Sequence, residues 1–310
     1  MVDKCRFFGV CGGCKYDIAD SEYQSQKAAA LRGFQTGAPV WIPAGCRRRA
    51  DFCFAGGKFG FYQAGTKNIV QIDSCPNLAP QINEFIPRLA AMPWAGTGSA
   101  LVTLCDNGMD VAVNSNIPFC TPEFRKAAAH LGAIRVCWNG RAVHRAAIPV
   151  VNFGGVPVEY PCGAFLQPTI EGADEMRRMV VDAAAGARRV ADLFCGLGNF
   201  TFALNADGFD IAGTGVRRDL FARPLTVGML NTYDCVVMDP PRAGAMAQCK
   251  EIAKSNVSRV IYVSCNPATF RRDMAILAAG GYVVKSITPV DQFAGSAHWE
   301  LVAVFDKTAD

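Results

Sequence analysis

Cys265 is the side chain in this sequence best placed to act as a nucleophile. It ends the run Val260-Ile261-Tyr262-Val263-Ser264 and is followed by Asn266-Pro267. An apolar, β-branched run bounded by turn formers predicts an interior parallel strand, and open α/β sheets bind ligands beyond the carboxyl ends of such strands. A free cysteine is more often a small buried hydrophobe, so position alone does not decide. Two further strand ends tip the balance. Residues 233 to 238 deliver Asp239-Pro240-Pro241-Arg242, and residues 189 to 193 deliver the glycine turn Phe194-Cys195-Gly196-Leu197-Gly198-Asn199. Glycines there let a backbone approach a bound nucleoside closely, and three strand ends are expected to meet at one crevice.

A second cluster has metal chemistry. Cys5, Cys11 and Cys14 lie close together, with Gly12-Gly13 between the last two, and Cys75 stands apart in Asp73-Ser74-Cys75-Pro76. Four thiolates can surround an iron–sulfur cluster; four can equally close a tetrahedral zinc site. The chain has 14 cysteines in 310 residues, 51% of them hydrophobic. A disulfide framework belongs to short secreted chains without such a core, so reduced thiols plus a metal site are expected.

The elements that must position these residues follow from the texture of the sequence. The length allows two or three cores. Residues 15 to 35 have helical spacing, with Tyr23, Lys27 and Leu31 four apart. Residues 40 to 161 are short strands, including a hairpin in which 101–105 and 109–113 flank Asp106-Asn107-Gly108, where Asn-Gly supplies positive φ. A helix over 171–184 leads into the strand before the glycine turn, and a short helix, 200–204, follows it. Residues 204 to 233 hold one convincing strand, 209–213. A parallel connection needs a dozen or so residues, so at least one βα unit is expected to be missing. A helix over 269–279 stops at Gly280-Gly281, and strands 282–289 and 298–305 close the sheet, the latter returning Glu300 towards the crevice.

No stretch reaches the roughly 20 apolar residues of a membrane helix, and no apolar segment of signal-peptide type follows Met1. A cytoplasmic location without membrane contact is expected, and no protein partner is predicted. The net charge of +4 does not by itself identify a nucleic-acid partner. Arg47-Arg48-Arg49, Lys58 and Lys67, interleaved with Phe52, Phe54, Phe61 and Tyr62, offer either cations beside stacking rings or an ordinary solvated strand face.

Taken in order, Cys-x5-Cys-Gly-Gly-Cys, Phe165-Leu166-Gln167, Asp-Leu-Phe-Cys-Gly-x-Gly-Asn-Phe, Asp-Pro-Pro-Arg-Ala-Gly, Ser-Cys-Asn-Pro and the late Trp299-Glu300 resemble the iron–sulfur-type RNA (uracil-5-)methyltransferases across nearly the whole chain. The resemblance implies an α/β class I S-adenosylmethionine methyltransferase domain of Rossmann type over 162–310. It implies an iron–sulfur region over 1–39 that takes its fourth ligand from residue 75, and a small α+β RNA-binding domain over 40–161. It implies Cys265 as nucleophile and Glu300 as base, with Gln167, Phe194, Asn199 and Asp239 contacting S-adenosylmethionine. Cys5, Cys11, Cys14 and Cys75 would hold a [4Fe–4S] cluster. Asp192, Asn266 and Arg242 are secondary candidates. The implied substrate is a loop or single-stranded uridine, because a buried base must leave its stack to meet a buried thiol. A chain starting at the cysteine motif resembles the branch acting on 23S ribosomal RNA, with transfer RNA as the alternative.

The chain departs from the family pattern in two places. Thr169 stands where an Asn is usual, and the acid that ends the second strand and grips the cofactor ribose has no clear match, Asp210 being nearest. A catalytically impaired iron–sulfur RNA-binding protein is therefore a second reading. A zinc-binding DNA methyltransferase is a third. RNA cytosine-5 methyltransferases place a cysteine after the proline of the fourth-strand motif, and Asp239-Pro240-Pro241 has none.

Overall fold

Along the strand Arg259–Ser264, Val260 and Tyr262 enter one apolar core while Ile261 and Val263 enter another, and Cys235–Met238 divides its residues the same way. A strand covered on both faces has no solvent side to alternate with, which is why both runs are unbroken in the sequence. The computed structural model describes residues 4–308. These two strands lie in the middle of an eight-stranded sheet. Its order is Val40–Trp41, Tyr282–Asp291, Glu300–Lys307, Arg259–Ser264, Cys235–Met238, Val190–Leu193, Asp207–Asp210 and Val216–Arg217. Only Glu300–Lys307 runs antiparallel to its neighbours. The helices Met246–Ile252 and Pro267–Ala279 cover one face and Ile170–Ala183 the other.

A second sheet of seven strands runs Ile69–Val70, Lys58–Tyr62, Arg49–Ala55, Thr97–Cys105, Gly108–Ser115, Arg135–Trp138 and Arg141–Arg145. The helices Pro80–Ala90 and Pro122–His130 share its core through Ile82, Phe85, Ile86, Leu89 and Phe124. The expected hairpin is present, with Cys105 paired to Gly108. Gly108 takes positive φ but Asn107 does not; its side chain instead bonds Ile148 O and Val150 N.

Several expectations are corrected. The sheets do not divide at residue 40, because Val40–Trp41 adds to the large sheet beside Val290 and Asp291. The helix expected over 15–35 shrinks to Tyr23–Ala28 with a 3-10 turn, Ala29–Leu31. Asp17 and Asp20 cap local turns at Ala19 N and Glu22 N, and the Lys15 and Tyr16 amides both donate to Gly295 O, so these groups are not free for a helix. The strand expected over 209–213 is Asp207–Asp210. It joins the two-residue strand Val216–Arg217 through only five residues, 211–215, with no helix between. The missing unit is thus mainly a crossover helix, and a stub of the edge strand remains. Phe52 and Phe54 are fully buried and stack with Phe59, Phe61 and Trp94, so they present no ring to a partner. No helix among the described residues is long and apolar enough to cross a membrane.

Candidate active site

The antiparallel register between Arg259–Ser264 and Glu300–Lys307 pairs Ser264 with Leu301. The ladder ends there, so Cys265 and Glu300 are the next residues along the two strands, and Glu300 is close enough for its charge to act on the thiol. The thiol sits where its strand stops because Asn266 caps the following helix, accepting from Ala268 N at 3.1 Å, while its own amide donates to Arg242 O at 2.9 Å. Asn266 is therefore a positioning group, and Arg242 is exposed beside it.

Glu300 is buried, and its Oε2 has no partner. Burial and the neighbouring Asp239 carboxylate hold its pKa well above the usual range, opposed by a hydrogen bond from Gln292. The Cys265 thiol is pushed up to about 11 by burial and by the charges of Glu300 and Asp239, with Arg242 pulling the other way. Asp239 itself is raised to about 7 by burial and by Asp192. The crevice thus gathers acids that make no ion pair among the described residues, which favours their neutral forms until a positive group arrives.

Gln167 and Asp239 meet directly: Gln167 Nε2 donates to Asp239 Oδ2 at 3.1 Å. Arg48, with its neighbour Arg49, explains how Gln167 is held. Arg48 is buried and donates from Nε to Gln167 O at 3.1 Å; Arg49 donates to Leu166 O at 3.3 Å and lies over the Phe165 ring at 5.3 Å. Thr169, the departure from the family pattern, caps the helix Ile170–Ala183 by accepting from Gly172 N at 3.0 Å.

On the other side of the crevice Phe194 adopts φ +62°, a strained conformation for a bulky residue, and its ring lies 5.4 Å from that of Phe221. Asn199 accepts from Arg177 at 3.1 Å, and its Nδ2 is buried without a partner. Asp192 accepts from Thr201 Oγ1 at 2.6 Å through Oδ2 beneath the glycine turn, and its Oδ1 is buried without a partner among the described residues. Asp210 ends the second strand, at the place of a ribose-gripping acid, yet its carboxylate already accepts from Gly196 N at 2.9 Å and Ala212 N at 3.0 Å. The short 211–215 return lies on the glycine turn itself: Thr214 N donates to Gly196 O at 3.1 Å, and a Cβ on Gly213 would fall 1.8 Å from that oxygen.

Sequence reasoning missed two residues. Gln292, buried, donates to Gln167 Oε1 at 2.7 Å and to Glu300 Oε1 at 3.3 Å. Phe165 is 66% exposed beside the crevice, a stacking surface with a guanidinium behind it. A glutamine eight residues before the expected base and an aromatic two before Gln167 were the available signals.

The thiols of Cys11, Cys14 and Cys75 have raised proton affinity, chiefly from burial and in part from neighbouring cysteines. Cys14 is pushed up to about 12 by burial and then by Cys75, Cys11 and Cys5, and Cys11 and Cys75 are raised by burial and by their cysteine neighbours. Asn77 Nδ2 donates to Cys14 Sγ at 3.4 Å. Among the described residues no group of three or more His, Cys, Asp or Glu is set to hold a metal ion, so the four cysteines are not brought together as the ligand set expected from the sequence.

Comparison with known proteins adds a lineage to this geometry. Residues 217–308 match the family model described as tRNA (uracil-5-)-methyltransferase. A protein of Agrobacterium fabrum described as an uncharacterized RNA methyltransferase is 36% identical, the alignment covering 98% of this chain and 85% of that protein. The 23S rRNA (uracil(1939)-C(5))-methyltransferase of Salmonella choleraesuis is 27% identical over 98% of this chain and 81% of its own length. The crystal structure of Pyrococcus abyssi tRNA (uracil-54, C5)-methyltransferase in complex with S-adenosyl-L-homocysteine superposes with a TM-score of 0.71 at 21% identity, covering 92% of this chain and 82% of that one. The Agrobacterium alignment spans 355 positions against 310 residues here, so that relative carries at least 45 positions, the difference, that this chain lacks.

Proposed function

Because the chain belongs to the RNA (uracil-5-)methyltransferase family, we propose that it transfers a methyl group from S-adenosylmethionine to C5 of a uridine in RNA, with 23S ribosomal RNA as the substrate and Cys265 and Glu300 as the catalytic pair. What supports this reading is that Ser264 pairs with Leu301, which leaves Cys265 and Glu300 as the next residues along the two strands, and that Glu300 Oε2 is buried without a partner among the described residues.

Uracil C5 is a poor nucleophile. Addition of the Cys265 thiolate to C6 forms an S–C6 bond and moves the ring's electron pair to C5, splitting one hard step into easier ones. After C5 is methylated, Glu300 takes the C5 proton; the electron pair of that C–H bond rebuilds the C5–C6 double bond and expels the thiolate. When bound, S-adenosylmethionine supplies the electrophilic methyl group and a positive charge that favours the ionised forms of Asp239 and Glu300. Gln167, Phe194, Asn199 and Asp239 would hold it, the buried unpartnered Nδ2 of Asn199 being the donor left free for a ligand. Cys5, Cys11, Cys14 and Cys75 would hold a [4Fe–4S] cluster with a structural or RNA-positioning role, since methyl transfer needs no redox step. The ribosomal substrate draws on the Salmonella relative; a transfer RNA substrate is the alternative. With no membrane contact proposed, the site of action is the cytoplasm.

The test uses the whole protein with ribosomal and transfer RNA transcripts. Wild type should form 5-methyluridine in one of them. C265A should lose the covalent RNA–protein band on a denaturing gel, and E300Q should accumulate it. Normal turnover by E300Q would refute the base assignment.

Asp210 favours a second reading, in which the protein keeps its RNA-binding role with impaired catalysis. Its carboxylate is engaged by Gly196 and Ala212 where a ribose would need it. Calorimetric titration with S-adenosylmethionine decides: micromolar binding removes that reading, and absence of binding selects it over methyl transfer.

A further inference from the structure

We propose that Gln292 is a positioning residue for the base. By donating its two Nε2 protons, one to Glu300 Oε1 and one to Gln167 Oε1, it fixes which carboxylate oxygen of Glu300 stays available and which end of the Gln167 amide meets Asp239. This rests on the assignment of Glu300 as base.

An amide nitrogen has two protons and no acceptor capacity. With both spent at 2.7 and 3.3 Å, Glu300 Oε1 is fixed as an acceptor and Oε2 is left without a protein partner, available to a substrate proton. The same donation orients Gln167. Turned end for end, its amide would set nitrogen against the Gln292 nitrogen and oxygen against the Asp239 carboxylate. In the observed orientation Gln167 Nε2 donates to Asp239 Oδ2 at 3.1 Å. A continuous chain, Glu300, Gln292, Gln167, Asp239, thereby links the base to the cofactor side of the crevice.

Gln292 is held by packing and through its Nε2, while its own Oε1 is buried without a partner among the described residues. Its neighbour Asp291 is clamped by buried Lys27 at 2.5 Å. On the other side it lies on the bare backbone at Gly172, where a Cβ would come within 2.8 Å of Gln292 Oε1 and 2.9 Å of its Cβ.

The electrostatics give the role a direction. Glu300 lies near Asp239, just past the strand Cys235–Met238, and near Cys265, just past Arg259–Ser264, and is joined to Gln167 through Gln292. The charged groups nearby are the Lys27–Asp291 pair, next to Gln292 in the chain, and Arg242, which acts on both Cys265 and His298. Burial and Asp239 favour the protonated carboxyl, and the Gln292 N–H favours the carboxylate. Removing that donor must raise the proton affinity of the base and move the acid limb of its pH profile upward.

The experiment is single-turnover reaction of the full-length protein with RNA and S-adenosylmethionine, following covalent adduct formation and resolution separately from pH 6 to about 9.5, a range that begins above the ordinary Glu value and passes through the ordinary Cys value. Q292M removes the donor at similar length. Q292E keeps the shape and adds a negative charge, which preserves the test should the methionine variant fail to fold. Q292M should resolve adduct about tenfold more slowly at neutral pH, the equivalent of one pH unit. The deficit should close at alkaline pH, and adduct formation should stay within about twofold. Q292E should shift the resolution profile further the same way. Equal slowing at every pH, or a Q292E profile no further displaced than that of wild type, would overturn the positioning role while leaving the parent reading intact. A wild-type protein that forms no adduct overturns the parent reading and this one with it.

Discussion

Replacing Lys27 with methionine tests whether the buried pair behind the catalytic loop holds it in place. Lys27 is fully buried; its Nζ lies 2.5 Å from Asp291 Oδ1 and 2.9 Å from Phe293 O, and 5.1 Å from the Trp299 ring. Removing one partner of a buried pair strands the other charge and costs about 3–5 kcal/mol. Here Asp291 keeps the Tyr23 hydroxyl and the Phe293 amide at 3.0 Å, so K27M belongs at the low end, about 3 kcal/mol. With a urea dependence of about 3 kcal/mol per molar, the upper part of the usual range, the unfolding midpoint should fall by about 1 M. In a D291N background the stranded charge is gone, and the same change should cost about 1 kcal/mol, one hydrogen bond. Urea unfolding of the four proteins, followed by far-UV circular dichroism and tryptophan fluorescence together, measures both figures. A K27M cost below about 1 kcal/mol, or one that is the same in both backgrounds, would refute the clamp.

Two further outcomes follow from the charges in the crevice and from the four thiols. The Asp239 carboxylate raises the Cys265 pKa, so D239N should move the midpoint of iodoacetamide alkylation of Cys265 to lower pH and speed labelling at pH 8 severalfold; mapping the labelled peptide by mass across pH 7–11 checks this, and an unmoved midpoint removes Asp239 from the thiol's surroundings. If Cys5, Cys11, Cys14 and Cys75 hold a cluster, protein purified without oxygen should carry about four irons and absorb broadly near roughly 400 nm. C14S should lose most of both, and iron-free, colourless wild-type protein would refute the ligand set.

The sequence was most legible where chemistry and local structure coincide. Cys265 and Asp239 stand just past the ends of apolar runs that form interior strands, and the pairing of Ser264 with Leu301 leaves Glu300 next along the neighbouring strand. Where partners are far apart in the chain, legibility failed. The helical spacing around Tyr23 was real, but the amides of Lys15 and Tyr16 are drawn to Gly295, a choice no local pattern encodes. Phe52 and Phe54 were open to two readings, rings for a partner or an ordinary solvated strand face, because strand alternation does not say which face is covered; the helix Pro80–Ala90 supplies the cover. Arg48 looked like a phosphate ligand and is a brace for Gln167. Gln292 was invisible because its meaning lies in two acceptors, one of them 125 positions away. The missing crossover after Asp210 was readable by length alone, whereas the capture of Asp210 by Gly196 was not.

The bond from Lys27 to Asp291 joins residues 264 positions apart, and at 5–20 residues per second of synthesis that separation lasts roughly 15 to 50 seconds. Throughout that interval the segment carrying Cys5, Cys11 and Cys14 has been made, while its seat, the Gly295 carbonyl and the acid at 291, does not yet exist. The early thiols therefore spend most of the chain's birth unhoused, open to whatever metal or oxidant reaches them first. The loop that places Gln292 and Glu300 closes only when both ends of this long detour meet.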